Sequence, residues 1–309
     1  MTRPNRRFPL VAPRLRWALL VLVPAALICG FTFSFGFEKD QIVEWKLENF
    51  PEPSAVVFHP LRGSLFAVGD EGDLAELSLD GEILRMVHLG GDLEGIAVDP
   101  VSGNLYVLRE GHEIISEVAP VSLEIKRRFS VDRTYKANPN FLKRGGDGLE
   151  GLTYVADPIH PEGGRFYAVN QYDPPVLVEL ALPLRSSSKK FEVAKIVAAW
   201  TVDAPPLSDV TWDPASQSFL IVSALSRKVH LVGKNGDLRG VVRAPGFMVE
   251  GLSLLPDGRI VIAQDTGGML LWSPGESPFV AAARRAGVVA PAPAKISPNC
   301  EELPCDDKG

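Results

Sequence analysis

The sequence predicts an all-β chain in which one hairpin design is repeated around a centre. Three observations lead there. Five stretches can be laid over one another residue by residue: Ser54–Pro60, Glu94–Pro100, Glu150–Tyr154, Ser208–Pro214 and Glu250–Leu254. Each alternates apolar residues with a period of two. Turn residues and a second apolar run follow each one, as in a β-hairpin. The copies start 40, 56, 58 and 42 residues apart, which indicates a radial repeat, and the internal period of two excludes a helical solenoid.

The chain opens with a basic segment, residues 1–16, carrying Arg3, Arg6, Arg7, Arg14 and Arg16. Trp17–Phe37 then runs for 21 residues without a charge, enough to cross about 30 Å of hydrocarbon as a helix. Arginines before it and Glu38-Lys39-Asp40 after it predict a cytoplasmic N-terminus and a signal-anchor helix. The competing reading is a cleaved signal peptide ending near Ser34-Phe35-Gly36. The apolar run exceeds the usual core of about 15 residues in such peptides.

Gln41–Leu47 alternates like a strand but has no hairpin partner of its own. The first four copies continue into further strand-like runs, such as Leu74–Leu79 with Ile83–Leu89 and Val229–Val232 with Leu238–Val242. Four strands per copy is the composition of a propeller blade. The fifth copy has a third run, Met269–Trp272, and no clear fourth. The orphan Gln41–Leu47 would supply it and close the ring, removing the sheet edges that an open array exposes. The expectation is therefore a five-bladed β-propeller over residues 41–280. A six-bladed count is the alternative, if Arg133–Gly148 or Pro183–Trp200 hides strands. Arg133–Gly148 and Pro183–Phe191 read as polar loops. Residues 281–309 read as a tail, disordered from Ala290 onward. In an oxidising compartment its Cys300 and Cys305 would form a small disulfide loop, with two free thiols as the alternative.

Charge narrows the partners. Residues 38–309 hold 27 Lys and Arg against 38 Asp and Glu, a net of −11. Nucleic acid is a poor partner for such a surface, and a cationic ligand a better one.

The Glu-Gly hairpins bring a resemblance. Asp92–Ala97 (DLEGIA), Gly148–Tyr154 (GLEGLTY), Leu207–Val210 (LSDV), Leu220–Ser223 with Ser226, and Val249–Gly251 (VEG) resemble the SdiA-regulated, or YjiK, family of membrane-tethered bacterial β-propellers. The resemblance covers about residues 40–275 and the same N-terminal anchor. It implies a propeller in the periplasm, tethered to the cell inner membrane by a single span. It implies no reaction, because the family has no established activity. Ala263-Gln264-Asp265-Thr266 departs from the Ser-Glu-Pro-like end that the family pattern has there.

Equivalent positions of a propeller converge on its channel. Glu94, Glu150 and Glu250, with Asp209, are expected at one mouth, joined by Arg109, Glu110, Asn170 and Asp265 from the ends of the second strands. These eight residues form the predicted ligand-binding set. Crowded carboxylates must be protonated, paired or neutralised by a metal. An oxygen-only set of Glu94, Glu150, Asn170, Asp209 and Glu250 would suit calcium. Gluconolactonase-type propellers bear a distant likeness in placing a Glu-Gly glutamate among channel metal ligands. The bland reading is that each acid accepts backbone N–H bonds from the next blade, while glycine permits close packing.

No catalytic nucleophile is predicted. His59, His88, His112, His160 and His230 fall in turns or outer strands, and there is no G-x-S-x-G elbow, Walker loop or His-rich motif. Two functions follow. The first is a non-enzymatic envelope module that binds a small molecule, peptide or protein. The second is a calcium-dependent lactonase or esterase, in which the metal polarises a carbonyl and activates water.

Overall fold

The computed structural model describes residues 41–142 and 148–288. A lone strand, β1 (Gln41–Trp45), precedes four antiparallel strands that pair in chain order: β2 (Pro53–His59), β3 (Ser64–Gly69), β4 (Asp73–Leu77) and β5 (Ile83–His88). The second unit is β6 (Leu93–Val98), β7 (Leu105–Arg109), β8 (Ile114–Val118) and β9 (Ile125–Asp132). The third is β10 (Leu149–Ala156), β11 (Gly164–Asn170), β12 (Val176–Ala181) and β13 (Phe191–Thr201). The fourth is β14 (Leu207–Asp213), β15 (Ser218–Ser223), β16 (Lys228–Val232) and β17 (Leu238–Arg243). The fifth has β18 (Val249–Leu254), β19 (Ile260–Gln264) and β20 (Gly268–Ser273), and β1 completes it. Among the described residues the chain is thus all-β, with 20 strands and one short helix.

β1 runs antiparallel along β20, from Gln41 opposite Ser273 to Trp45 opposite Met269. Trp45 then packs with Phe50, Leu65 and Leu77 of the first unit and Met269 and Leu271 of the fifth. The first and last units share one apolar cluster. Four further clusters lie between successive units. The first strands also touch in a cycle, β2 to β6, β10, β14, β18 and back to β2.

Two features depart from the expectation. The loop read at Pro183–Phe191 ends where a long strand, β13, begins, and β13 serves as the fourth strand of the third unit. Its first half, Phe191–Lys195, pairs in parallel with Arg128–Asp132 of β9 and joins two units at their outer edges. The second departure is the start of the tail. Pro278–Arg285 forms a helix, α1, whose Ser277 cap accepts from the Val280 N–H at 3.3 Å. Phe279, Ala282 and Ala283 are buried against the fourth and fifth units. Alanine-rich composition here marks a helix with an aromatic anchor. The folded region therefore passes the expected boundary at residue 280, and only residues 289–309 of the tail, with Cys300 and Cys305, lie outside the described residues. Trp17–Phe37 lies outside them as well. Among the described residues no helix is long and apolar enough to cross a membrane.

A buried acid on the third strand is a device that pattern reading missed. Glu76 accepts from Arg62 Nε at 2.6 Å, Arg85 Nε at 2.6 Å and Ser64 Oγ at 2.7 Å. At the equivalent place Glu117 accepts from Arg127 at 2.5 Å, and Glu179 pairs with Arg165 at 3.2 Å. Leu231 and Leu271 stand there in the fourth and fifth units. Three units thus pin their strands with ion pairs, and two use apolar contact.

Candidate functional site

Every first strand carries one extra residue at the same place. Pro53 faces Gly69 and Ala55 faces Val68, so Ser54 bulges out of the ladder. The same count leaves out Glu94 between Leu93 and Gly95, Ser208 between Leu207 and Asp209, and Glu250 between Val249 and Gly251. In the third unit the shift falls between Leu149 and Leu152, around Glu150 and Gly151. A bulge bends the strand and re-aims the extra side chain. Its fivefold recurrence, at Ser54, Glu94, Glu150, Ser208 and Glu250, turns a sequence motif into a ring of side chains at one end of the first strands.

The next residue explains the packing. A Cβ on Gly151 would lie 2.3 Å from Asp209 Cα and Oδ1, and one on Gly251 2.7 Å from Ala55 Cα. Glycine lets neighbouring backbones approach to that distance. In the fourth unit the glycine position is Asp209, which projects over Gly151. Its Oδ2 accepts the Leu252 N–H of the fifth unit at 2.8 Å. Asp209 is therefore an inter-unit cap. Two residues further on, hydroxyls make the same kind of tie. Thr153 Oγ1 accepts from Trp212 N at 3.2 Å, Thr211 Oγ1 donates to Leu252 O at 2.6 Å, and Ser253 Oγ accepts from Phe58 N at 2.8 Å.

The glutamates are not used as caps. Burial and then Asp70 and Asp92 push Glu94 up to about 9, and its carboxyl hydrogen-bonds Asp92 and Glu150. Glu150 is raised by burial, then by Glu94 and Glu110. Burial, then Asp265 and Asp70, raise Glu250 to about 7, and burial raises Asp209 to about 7 against the N–H bonds of Leu252 and Val210. The contrast with Glu76 is physical. That acid is also buried, but its arginines hold it below the ordinary carboxyl value. The mouth glutamates have other carboxyls for company instead: Glu94 keeps its proton at neutral pH, and Glu250 is poised to lose its own there.

The predicted set is brought together only in part. Glu94, Glu150, Glu250 and Asp209 act on one another electrostatically, with Glu110 and Asp265 at the margin. Glu110 Oε1 accepts from Gly148 N at 3.0 Å, securing the entry to β10. Asn170 Nδ2 donates to Tyr172 O and Pro174 O, leaving Oδ1 buried without a partner among the described residues. Arg109 lies against Gly91 and makes no ion pair with the glutamates among the described residues, and its Nε is buried without a hydrogen bond. Among the described residues the carboxylates that lie close enough to share one cation are Asp70, Asp92 and Glu94, with one oxygen of each within 4.8 Å of the others. Asp92 was missed. Its signal was the acid two places before the Glu-Gly motif. Asp70 is oriented by Ser54 Oγ, the bulged residue of the first unit. The histidines lie elsewhere: His59 Nε2 bonds Gly103 O at 2.8 Å, and His88 meets Asp73 at 2.9 Å.

These shifts set a sign for the pH dependence. A carboxyl raised in the folded state contributes stability that is complete below its unfolded value, near 4.5 for glutamate, and lost as pH rises through the folded value. The melting temperature should fall between pH 5 and pH 9. For Glu250, a rise from 4.5 to about 7 corresponds to ~3 kcal/mol at pH 8. Glu250→Gln should raise the melting temperature at pH 8 and leave it nearly unchanged at pH 5. A melting temperature flat across this window would show the mouth to be well hydrated.

Comparison with known proteins follows the same lines. The family model described as SdiA-regulated matches residues 41–253. Among solved structures, glutaminyl cyclase of Myxococcus xanthus is 17% identical with a TM-score of 0.54, over 75% of this chain and 95% of that one. Hydrazine synthase of Kuenenia stuttgartiensis is 14% identical with a TM-score of 0.44, over 70% of this chain and 56% of that one. A protein of unknown function from Bacteroides caccae is 15% identical with a TM-score of 0.45, over 70% of this chain and 72% of that one. The first likeness bears on the fold alone, and the other two carry no argument.

Proposed function

Because the chain belongs to the SdiA-regulated family, we propose that it is a membrane-anchored envelope module, a five-bladed propeller that binds a cationic ligand at its acidic mouth without chemical turnover. Five inter-unit clusters and the cycle of first strands support the blade count. The charges around Trp17–Phe37 support a single inner-membrane span with the propeller in the periplasm. A disulfide between Cys300 and Cys305 belongs to the same reading. The observation that carries the ligand is the bulge repeated in all five first strands, which gathers Glu94, Glu150 and Glu250 at one end with no ion pair to a lysine or arginine among the described residues. A cation entering there displaces shared protons, and its charge is stabilised by carboxylates already in place.

A second reading rests on Asp70, Asp92 and Glu94. Their spacing suits a calcium ion, which in a hydrolase would polarise a carbonyl and activate water, with Glu150 as general base. One experiment addresses both readings. Residues 38–309 are titrated with calcium chloride and, in parallel, with spermidine by calorimetry in two buffers of different ionisation enthalpy. Spermidine binding with proton release, weakened about tenfold or more in Glu150→Gln, supports the binding module. Calcium binding lost in Asp92→Asn favours the metal reading. Absence of both would remove the mouth as a cation site.

A further inference from the structure

Two further surfaces lie away from the acidic mouth. At the opposite ends of the first strands, Phe58, Val98, Tyr154, Trp212 and Leu254, one from each unit, line a turn-side cavity of about 610 Å³. The hydroxyls of Thr153, Thr211 and Ser253 beside it are spent on bonds between units. Its walls are chiefly apolar and aromatic. The outer edge where the second and third units meet is different, because apolar and cationic side chains are mixed there.

Residues 125–133 and 183–197 hold eight Lys and Arg against two acids, in a domain whose acids outnumber its cations. The segments are distant in the chain, and the parallel pairing of β13 with β9 brings them side by side. In that register Arg128 faces Phe191, Ser130 faces Val193 and Asp132 faces Lys195. All six are exposed, while the intervening Phe129, Val131 and Ala194 are buried, as the alternation of a half-buried sheet requires. Phe191 is 72% exposed and Val193 45%. Arg127 and Arg133 turn inward to Glu117 and Glu113. Arg128, Lys189, Lys190 and Lys195 stay at the surface, where Lys189 reaches Glu192 at 3.8 Å. The loop that carries the two adjacent lysines is held in place. Arg127 donates to Ser187 O at 2.8 Å and to Leu184 O at 3.1 Å, Arg128 N to Lys190 O at 2.9 Å, and Lys190 Nζ to Lys126 O at 3.2 Å. A surface ordered in advance loses little entropy when a partner arrives.

We propose that this face docks on anionic phospholipid, with Phe191 entering the headgroup layer and Arg128, Lys189, Lys190 and Lys195 meeting phosphates. Charge selects an anionic partner, because the exposed cations outnumber Asp132 and Glu192. The apolar residues select a membrane over an acidic protein. Phe191 stands out into solvent between Lys190 and the facing Arg128. An exposed aromatic ring flanked by long cations suits a membrane–water interface, where the ring sits among headgroups and the cations reach phosphate. The anchors of protein interfaces lie instead in desolvated pockets. The surface is separate from the acidic mouth, and the proposal makes no use of the membrane span.

All five apolar clusters lie between Trp45 and Val288, so a form starting at residue 38 keeps the whole core and serves for the test. Its partitioning onto vesicles of equal phosphatidylglycerol and phosphatidylcholine is measured by sedimentation at about 0.1 M salt. It should bind them, bind pure phosphatidylcholine poorly, and be released at about 0.5 M salt. Each cation at an anionic membrane is worth about fivefold in binding. Lys189→Glu with Lys190→Glu should therefore weaken partitioning about tenfold or more, and Phe191→Ser about fivefold or more. These side chains are exposed, so the melting temperature should not move. Lys46→Glu with Lys234→Glu makes the same charge change at exposed sites elsewhere and should have little effect. No binding to the anionic vesicles overturns the proposal, as does an equal loss in the two double variants. Competition by poly-glutamate together with indifference to Phe191→Ser also overturns it, and would assign the face to an acidic protein.

Discussion

Gly151→Ala should lower the melting temperature by about 10 °C or more, or prevent folding altogether. The added Cβ would lie 2.3 Å from Asp209 Cα and Oδ1 and 2.5 Å from Val210 N. Two of those atoms are backbone of the adjacent unit, so no rotamer change relieves the contact. Overpacking a core costs about 1–3 kcal/mol where side chains can shift and more where they cannot. Separating the third and fourth units would also strain the bond from Leu252 N to Asp209. Gly258→Ala is the reference. Gly258 has a φ of +88° with nothing within 4 Å of a built Cβ. Only backbone strain of about 1–2 kcal/mol should appear there, a few degrees in a domain of this size. Chemical denaturation of both variants checks the comparison. Equal losses would mean that the units do not approach as closely as the glycine implies.

Removal of β1 should be the other large effect. A protein starting at residue 38 keeps β1 and should fold, whereas one starting at residue 49 should melt at least about 10 °C lower or aggregate. The second deletion removes the strand paired from Gln41 to Trp45 with β20. It also removes Trp45, which is 7% exposed and sits over Gly81, where a Cβ would come within 2.4 Å of the indole. Losing a buried tryptophan alone costs about 3–5 kcal/mol. The bare edge of β20 would be open to pairing with another chain. Thermal melts with light scattering distinguish the outcomes. If the two forms melt alike, β1 is a passenger on β20 rather than the closure between first and last units.

The acidic mouth and the turn-side cavity divide the labour at the two ends of the first strands. At one end, three glutamates are gathered and, among the described residues, make no ion pair with a lysine or arginine. At the other, the hydroxyls of Thr153, Thr211 and Ser253 are consumed by inter-unit bonds. That asymmetry follows from register within one strand. In β18, Glu250 bulges at one end, Ser253 ties units together in the middle, and Leu254 faces the cavity.

Local pattern was enough for much of the architecture. Alternation with period two and the Glu-Gly spacing made five units legible, because a half-buried strand must alternate and a turn must be punctuated. The orphan strand could be paired with the fifth unit because an unmatched edge is costly. Tertiary structure decided what depends on neighbours distant in the chain. The bulge at Ser54, Glu94, Glu150, Ser208 and Glu250 exists only as a mismatch with the partner strand, so no residue type announces it. Asp209 could be read as a ligand from its position. Packed over Gly151, it is instead committed to Leu252, because a buried N–H needs a partner. Glu94 and Glu76 are the same residue type in strands of similar pattern. One is kept protonated and the other ionised because carboxyls surround the first and arginines the second, and a pKa is a property of surroundings that only the assembled fold supplies.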